Sequence, residues 1–366
     1  THRIDSPFET PPSAVMGMRR PRPSAADIAS VCSRLELQWG LDLHERDVQR
    51  VGDGIVRRMT RLGIRSSDQY LLRLDDTEIE ALTNLTTVGE SWFFRDPGQM
   101  RLLQHLLLPR LVEARRSDRR LRIWSAGCST GQEPWSLAML LLEVLPNPAG
   151  WHIKILGTDI DTNALAVAET GRYGGWALRG LSQASRSRYF VRRGEDWEVG
   201  DALRALVRFR RDNLTARDAP PIGDADLVLC RNVLIYLKRD LLAAVVSRIG
   251  AALHNGGMLI AGHCELIDVA SEGFEVERFP ESLVYRREDI TGAAASLSAS
   301  ARPVSGQKPK PRPVASLNGQ KSARREHSQQ RQSDRALDRP RDIHGSPPDA
   351  ATTDVATAEA LMQRAE

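Results

Sequence analysis

The stretch that decides the fold is RIWSAGCSTGQEPWSLAMLLLEVL, which runs from Arg122 to Leu145. Its apolar start predicts a buried strand, which enters a tight turn containing Gly127 and Gly131 before a helix begins. A second strand, IKILGTD, ends in Asp159, 28 residues after Gly131. A glycine turn that opens a helix, followed by an acidic residue at the tip of the next strand, is typical of a nucleotide-type ligand site. The glycines let the backbone approach the ligand, and the carboxylate accepts hydrogen bonds from ribose hydroxyls.

The spacing of these glycines narrows the class of ligand. The turn GCSTG holds two glycines four residues apart, whereas the dinucleotide fingerprint has three glycines. It therefore favours an adenosyl ligand without a pyrophosphate, such as S-adenosylmethionine.

Strands and helices alternate on both sides of this stretch. Apolar runs predict strands at Leu121–Ser125, His152–Thr158, Leu206–Arg210, Ala225–Cys230 and Met258–Gly262, and a closing hairpin at Phe274–Phe279 and Leu283–Arg286. Helices are predicted near Gln132–Leu145, Asp161–Thr170 and Arg239–Leu253. This alternation predicts an α/β fold with a doubly wound, Rossmann-like parallel sheet that has helices on both faces.

The composition changes along the chain and predicts six segments. They are a flexible arm (1–22), an all-helical N-terminal domain (23–85), a linker with a polar and aromatic motif and a helix (86–116), the α/β domain (117–288) with a small β-subdomain inserted at 171–206, a disordered basic linker (289–352) and the start of a helical segment (353–366). The basic linker has almost no large apolar residue, so burial cannot offset the entropy lost on ordering.

Charge and cysteine usage exclude several classes of protein. Residues 301–345 hold 11 Lys and Arg against four Asp and Glu, so the net charge of +4 comes from the tail and the rest of the chain is slightly acidic. The basic pI therefore says little about nucleic-acid binding by the folded part, and we expect no nucleic-acid partner. The cysteines, Cys32, Cys128, Cys230 and Cys264, lack metal-type spacing and are expected to be buried free thiols. No apolar run reaches 18 residues and no signal-peptide pattern is present, so we expect a cytoplasmic protein without membrane insertion.

The helix predicted over residues 44–62 has two distinct faces. Its buried stripe is predicted to be Val48, Val51, Ile55, Met59 and Leu62. Four arginines, Arg46, Arg50, Arg57 and Arg61, fall together on nearly the opposite side with no acidic residue among them. Two interpretations remain open: a solvated helix face, or a surface that docks an acidic helix.

The segment TTVGESWFFRDP, residues 86–97, concentrates a glycine, a hydroxyl, three aromatic rings and an Arg-Asp pair between two helical regions. One interpretation is an aromatic plug that joins the domains, with Arg95 paired to an acid. The other is an anchor formed by Trp92, Phe93 and Phe94, from which Arg95 projects into the cleft beside the glycine turn. The residues alone do not decide between them.

Two more strands end in polar residues. The buried strand of DLVLCRNVLIYL ends in Arg231 and Asn232, which should face the ligand crevice of an open α/β sheet. After another strand, VRFRR, Asn213 and the backbone at Leu214 could meet an adenine edge.

Together these motifs resemble one family, the bacterial chemotaxis receptor methyltransferases of the CheR type. The resemblance covers about Ala25 to Arg287 and rests on runs in matching order: TTVGESWFFRD, RIWSAGCSTGQEPWSLA, ILGTDIDTNALAVAETGRY, RDNL, DLVLCRNVLIYL, AGHCE and LVYRR. It implies a protein-glutamate O-methyltransferase that converts S-adenosylmethionine to S-adenosylhomocysteine.

The resemblance also implies roles for particular residues. With the glycine turn included, the expected cofactor-binding residues are Gly89, Ser91, Arg95, Gly127, Glu133, Asp159, Asn213, Leu214, Arg231 and Asn232. Asp159 would bind the ribose hydroxyls, Asn213 and Leu214 the adenine, and Arg95 and Tyr236 would flank the methyl-transfer centre. The expected partner is the cytoplasmic helical domain of a chemoreceptor-type protein, docked on Arg46, Arg50, Arg57 and Arg61. A second partner could bind through the C-terminal tail.

The chain departs from the family pattern at two positions. Many members carry Asn where this chain has Gly89, and Thr where it has Ser91. The hydrogen bond lost at Gly89 is worth about 0.5–1.5 kcal/mol, which predicts weaker cofactor binding unless backbone groups substitute. Two other functions stay open: a methyltransferase acting on a different substrate, and a non-catalytic adaptor that binds cofactor or receptor.

Overall fold

The structure is a computed structural model that describes residues 22–87, 89–266 and 273–288. The predicted flexible arm (apart from residue 22), the basic linker from residue 289 and the C-terminal helical segment lie outside these residues. No helix within the described ranges is both long and apolar enough to cross a membrane.

The N-terminal part is helical, as predicted. Its helices are α1 (Ala25–Trp39), α2 (Glu45–Leu62), α3 (Ser67–Leu71) and α4 (Asp76–Thr86). A capping box of Ser24 and Asp27 starts α1, and a left-handed Gly40 ends it. Their core contains Val31, Leu35, Val51, Ile55, Met59, Tyr70, Ile79 and Leu82. The predicted stripe of α2 is wrong at its last member, because Leu62 is 38% exposed beside the helix end.

Seven strands form the main sheet. They are β1 (Arg120–Ala126), β2 (His152–Asp159), β6 (Val207–Arg211), β7 (Ala225–Cys230), β8 (Leu253–Ala261), β9 (Phe274–Arg278) and β10 (Leu283–Arg287), in the order β6-β2-β1-β7-β8-β10-β9. The first five in this order are parallel, and β10 and β9 add an antiparallel edge. The β8 strand begins before the predicted Met258, because pairing with β7 continues back to Leu253 across a register shift between Leu253 and Met258. This stretch contains Gly256, where φ is 79°.

Helices cover both faces of this sheet. They are α5 (Pro97–Leu102) and α6 (Leu108–Ala114), joined by a π-helical turn at Leu103–Leu107, then α7 (Gln132–Val144), α8 (Thr162–Thr170) and α11 (Leu242–Ala252). The chain moves outward from β1 to β2 and β6, then returns to place β7 on the other side of β1. The direction of winding therefore reverses between β1 and β7, and ligands bind at such a switch point. The predicted doubly wound fold is confirmed.

The region between α8 and β6 forms the inserted subdomain. A three-stranded antiparallel sheet, in the order β3-β5-β4, is built from β3 (Arg172–Tyr173), β4 (Phe190–Arg193) and β5 (Asp196–Val199). Two short helices, α9 (Gln183–Tyr189) and α10 (Asp201–Arg204), complete it.

The helical region is attached to the α/β domain at defined contacts. Asn84 of α4 bonds through both amide atoms to Thr162, at 2.8 and 3.0 Å. The connection between α1 and α2 pairs with the chain after β7: Leu41 bridges Leu237, and the N–H of Asp42 donates to the carbonyl of Tyr236 at 2.8 Å. This connection therefore reaches the carboxyl edge of the sheet.

Candidate functional site

A cleft of about 1240 Å³, its open mouth included, lies at the carboxyl edge of the parallel strands. Of the residues predicted for the site, those that line the cleft are Ser91, Arg95, Gly127, Glu133, Asp159, Asn213, Leu214, Arg231, Asn232 and Tyr236. Gly89 does not line it, but its carbonyl accepts a hydrogen bond from Ser129 Oγ at 3.2 Å. Arg50, predicted for receptor docking, lines it as well.

The glycine turn after β1 approaches neighbouring elements closely. The N–H groups of Gly127 and Cys128 both donate to the carbonyl of Thr158, at 2.8 and 2.9 Å, which ties the turn to β2. Gly127 and Gly131 have φ of 74° and 90°, which glycine adopts without strain. A Cβ at Gly131 would lie 2.6 Å from the Cβ of Ala168 on α8. The turn can therefore pack this closely only with glycine.

The variant Gly131→Ala is expected to lower the free energy of unfolding by about 2–5 kcal/mol. Left-handed backbone costs a non-glycine residue about 1–2 kcal/mol, and overpacking against Ala168 adds about 1–3 kcal/mol. Urea denaturation measures the change. The matched control is Gly175→Ala, where a Cβ meets no atom within 4 Å. Equal stability of the two variants would contradict the role given to Gly131.

Asp159 ends β2 with its carboxylate already oriented. Oδ2 accepts the N–H of Ser129 at 2.8 Å, and Oδ1 accepts the N–H of Asp161 at 2.9 Å. Burial raises the pKa of this carboxyl above its ordinary value, although the two backbone donors act in the opposite direction. Each oxygen keeps a second lone pair, so the carboxylate can accept the two hydroxyls of a ribose.

Arg231, at the tip of β7, is enclosed by protein groups and its side chain is 3% exposed. Its guanidinium donates to Gln99 Oε1 at 2.5 Å, to Glu133 Oε2 at 2.9 Å and to the carbonyl of Arg95 at 2.8 Å. Glu133 also accepts from Ser125 Oγ at 2.7 Å. Arg231 therefore fixes the cleft wall and the backbone of Arg95, and has little donor capacity left for a ligand.

The aromatic motif holds Arg95 at the cleft. Phe93 is fully buried, and its ring meets those of Tyr173 and Phe190 edge-on at 5.0 and 5.2 Å. Phe94 has a φ of 55°, and its N–H donates to Ser136 at 3.0 Å. This backbone leaves the Arg95 guanidinium in the cleft, where it donates to the carbonyl of Glu90 at 2.8 Å.

Of the two interpretations of this motif, the one in which Arg95 projects into the cleft describes the structure. Arg95 has no acidic partner among the described residues. The three-ring anchor is wrong for Trp92, because its ring lies against the guanidiniums of Arg95 and Arg179, whose carbons are 4.7 and 4.6 Å from the ring centre.

The loop after β7 is organised by a residue that we did not predict. Glu265, buried after β8, accepts the N–H groups of Gly262 at 2.6 Å, Asn232 at 2.9 Å and Ile235 at 3.4 Å. Burial raises the pKa of this carboxyl. Asn232 has a φ of 58°, and Glu265 holds it and the following turn to Tyr236 in place. The run AGHCE contained the only sequence signal for this residue.

The loop after β6 has a second unpredicted support. Buried Arg248 of α11 forms a bidentate pair with Asp212 at 2.9 and 3.0 Å, next to Asn213. Asn213 Oδ1 accepts the N–H and hydroxyl of Thr215, and Nδ2 donates to the carbonyl of Gln38 at 2.9 Å. One amide N–H of Asn213 and the backbone at Leu214 remain for an adenine edge.

The helical region supplies a wall of the cleft that sequence reasoning missed. Trp39, Leu41, Asp42 and Leu43 line it, from the end of α1 and the connection to α2. On α2, Arg50 pairs with Asp47 and donates to the carbonyl of Thr86 at 3.2 Å, so it differs from the other predicted docking residues. Arg46, Arg57 and Arg61 are exposed and have no acidic partner within the described part of the chain.

The cysteines do not form a metal site. Among the described residues, no group of His, Cys, Asp and Glu could hold a metal ion. Cys32, Cys128 and Cys230 are buried free thiols as expected, and burial raises the pKa of each. Cys264 is exposed, so the expectation of burial was wrong there, because it lies on the turn that leads into Glu265.

Comparisons with known proteins agree with this architecture. The family model described as CheR methyltransferase, SAM binding domain, matches residues 89–282. Chemotaxis protein methyltransferase 1 of Pseudomonas aeruginosa is 33% identical over 260 residues, which cover 69% of this chain and 94% of that protein. The probable biofilm formation methyltransferase WspC of the same species is 32% identical over 273 residues, covering 70% and 63%.

Solved structures are more distant. Magnesium protoporphyrin IX methyltransferase from Synechocystis PCC 6803, with bound SAM, is 16% identical and covers 61% of this chain and 97% of that chain, with a TM-score of 0.30. The family model, in contrast, spans more than half of the chain, and a relative is matched over nearly its whole length. The chain therefore belongs to the CheR family of S-adenosylmethionine-dependent methyltransferases.

Proposed function

We propose that this chain transfers a methyl group from S-adenosylmethionine to glutamate side chains on the helical cytoplasmic domain of chemoreceptor-type proteins. The products are glutamate methyl esters and S-adenosylhomocysteine. The observation that carries the proposal is that Asp159 and Arg95 line the same cleft. The Asp159 carboxylate is oriented to bind a ribose, and Arg95 has no acidic partner among the described residues. The curated relatives named as chemotaxis methyltransferases support this choice of substrate.

The residues present fit the cofactor. Asp159 would accept the ribose hydroxyls, and the remaining N–H of Asn213 and the backbone of Leu214 would meet the adenine. The glycine turn at Gly127 would let the protein backbone approach the cofactor near its sulfur. The proposed cofactor contacts are completed by Ser91, Glu133 and Asn232. Gly89 would act indirectly through its hydrogen bond with Ser129, and Arg231 through its hydrogen bonds to Glu133 and Arg95. When bound, S-adenosylmethionine supplies an electrophilic methyl group, and the electron pair of the broken carbon–sulfur bond stays on sulfur.

The chain needs no general base for this reaction. A glutamate carboxyl with a reference pKa near 4.3 is already ionised at neutral pH, and one of its oxygens forms the new bond to carbon. The protein must place that oxygen about 3–3.5 Å from the methyl carbon and exclude water. Arg95 would orient the carboxylate through its guanidinium, and Tyr236, which also lines the cleft, would fix its approach. Charge is neutralised as the bond forms, so a dry site favours the transition state.

The exposed arginines of α2 would dock the receptor. Arg46, Arg57 and Arg61 present unpaired positive charge, which complements an acidic helix. Arg50 would contribute from the cleft side of the same helix. A substrate of this kind places the reaction in the cytoplasm. Binding of a second partner through the C-terminal tail, which lies outside the described residues, remains part of this proposal.

The decisive experiment is transfer of radiolabelled methyl from S-adenosylmethionine to purified cytoplasmic fragments of the chemoreceptors encoded in the same genome. We expect label that base releases as methanol, because a carboxyl ester is base-labile. Label that survives base would indicate a different substrate class. Calorimetric binding of S-adenosylhomocysteine without turnover on any receptor fragment would indicate an adaptor.

The role of Asp159 predicts a pH-dependent affinity for S-adenosylhomocysteine. Because burial raises the pKa of Asp159, the protonated form persists to higher pH than in an ordinary aspartate, and it cannot accept from both hydroxyls. Affinity should therefore fall as the pH is lowered through this raised pKa. Asp159→Asn should bind roughly 10- to 100-fold more weakly at neutral pH, since a hydrogen bond to a charged group contributes about 1.5–3 kcal/mol.

Calorimetry at several pH values measures both effects. Asp196→Asn, on the exposed β4–β5 hairpin, is the matched control and should bind like the wild type. A pH dependence that is unchanged in Asp159→Asn would assign the titration to another group.

A further inference from the structure

Four side chains form an alternating stack that leads from the cleft to the surface of the inserted subdomain. The guanidinium carbon of Arg95 lies 4.7 Å from the ring centre of Trp92, and that of Arg179 lies 4.6 Å from the same ring. Arg179 also lies 4.2 Å from the ring centre of Trp176. We call these residues the Trp-Arg stack.

Only the inner half of this stack belongs to the cleft. Arg95 and Trp92 line it, whereas Arg179 and Trp176 do not. Trp176 is 77% exposed, although burial of an indole ring is strongly favourable. An exposed indole held against an arginine next to a reaction centre is typical of a recognition surface.

The charge of Arg179 is also uncompensated. Arg179 Nη1 donates a hydrogen bond to the carbonyl of Trp176 at 3.1 Å, and no acidic group pairs with the Arg179 guanidinium within the part of the chain that the structure describes. Glu90, which also lines the cleft, binds Arg95 through its main-chain carbonyl rather than its carboxylate. The outer half of the stack therefore offers a guanidinium to a carboxylate from outside.

We propose that Arg179 is a specificity-determining residue that binds a second acidic side chain on the receptor helix, about one turn from the glutamate that is methylated. Trp176 would pack against the apolar stem of that acidic side chain. This inference rests on the function proposed above and names a feature of its substrate.

The dimensions of the stack fit two carboxylates on one helix face. Arg95 and Arg179 each lie within 4.7 Å of the centre of the Trp92 ring, so their guanidinium carbons are no more than about 9 Å apart. Residues three or four apart on a helix have Cβ atoms about 5–6 Å apart, and glutamate side chains can spread from there. One carboxylate at Arg95 therefore leaves the next within reach of Arg179.

The test compares Arg179→Gln with wild type in methyl transfer to a receptor fragment whose methylated glutamate has been mapped. A second fragment carries Gln in place of the acidic residues one turn to either side. With the first fragment, we expect Arg179→Gln to raise KM about threefold to tenfold and to change kcat less than twofold. With the second fragment, the KM values of wild type and Arg179→Gln should agree. Arg179→Lys should recover part of the difference, because it keeps the charge.

The matched control is Arg188→Gln, an exposed arginine of the same subdomain outside the stack, which should leave KM unchanged. The affinity for S-adenosylhomocysteine should be equal in all variants. An unchanged KM in Arg179→Gln, or a rise that is just as large on the second fragment, overturns this inference and leaves the proposed function standing. If the wild type methylates no fragment, the proposed function fails and the inference fails with it.

Discussion

Arg231→Met is expected to lower the free energy of unfolding by about 3–5 kcal/mol, because it leaves the carboxylate of Glu133 half-buried without its cation. It also removes the donors to Gln99 and to the carbonyl of Arg95, so the motif around Arg95 should loosen and turnover should fall with stability. Urea denaturation and methyl transfer, measured on the same preparation, give the two effects.

Two further variants separate charge pairing from general disruption. Arg231→Met combined with Glu133→Gln should be less destabilised than the sum of the single changes, because the unpaired anion is gone. Arg116→Met, which removes an exposed arginine whose acidic partner among the described residues is the exposed Glu113, should change stability by less than about 0.5 kcal/mol. If Arg231→Met is as stable as the wild type, the network does not hold this edge of the sheet.

Arg95→Ala is expected to lower kcat roughly 100-fold or more at saturating cofactor and receptor. The variant lacks the group that orients the attacking carboxylate. Misplacement of a reacting atom by about 1 Å lowers the rate by roughly 100-fold. The kcat of Arg95→Lys should fall between those of the wild type and Arg95→Ala, because lysine keeps the charge but not the planar contact with Trp92. Steady-state methyl transfer measures the loss.

Binding of S-adenosylhomocysteine decides which ligand Arg95 serves. If Arg95 acts on the substrate, the affinity of Arg95→Ala for this product should stay close to that of the wild type while kcat falls. A large loss of affinity with kcat preserved at saturation would assign Arg95 to the cofactor alone. Full turnover at saturation of both ligands would remove it from the reaction.

The sequence predicted the parts of the site that come from strand ends. Gly127, Asp159 and Arg231 follow different strands, and parallel strands deliver their carboxyl ends to one edge. Their convergence needed only the alternation of strands and helices. The family resemblance then contributed positions with weak local signals, such as Asn213 and Tyr236.

Other parts of the site could not be predicted because they depend on distant contacts. Glu265 meets the loop after Asn232 only once β8 lies beside β7, and Arg248 meets Asp212 across a separation of 36 residues. A helical wheel places Arg50 with the other arginines of α2, but it gives no information about Thr86, whose carbonyl holds Arg50 at the cleft. The position of Trp92 could not be predicted either, because its ring contacts Arg179 of the inserted subdomain.

The connection between α1 and α2 affects how much of the chain the cleft requires. The matched family region starts at residue 89, yet Leu41, Asp42 and Leu43 line the cleft. Backbone hydrogen bonds from Asp42 to Tyr236 and from Lys238 to Gly40 tie this connection to the chain after β7. A fragment that begins at residue 89 would leave that side of the cleft open to water. The SAM-binding region that the family model marks is thus smaller than the cleft, whose wall includes residues from the N-terminal helical region.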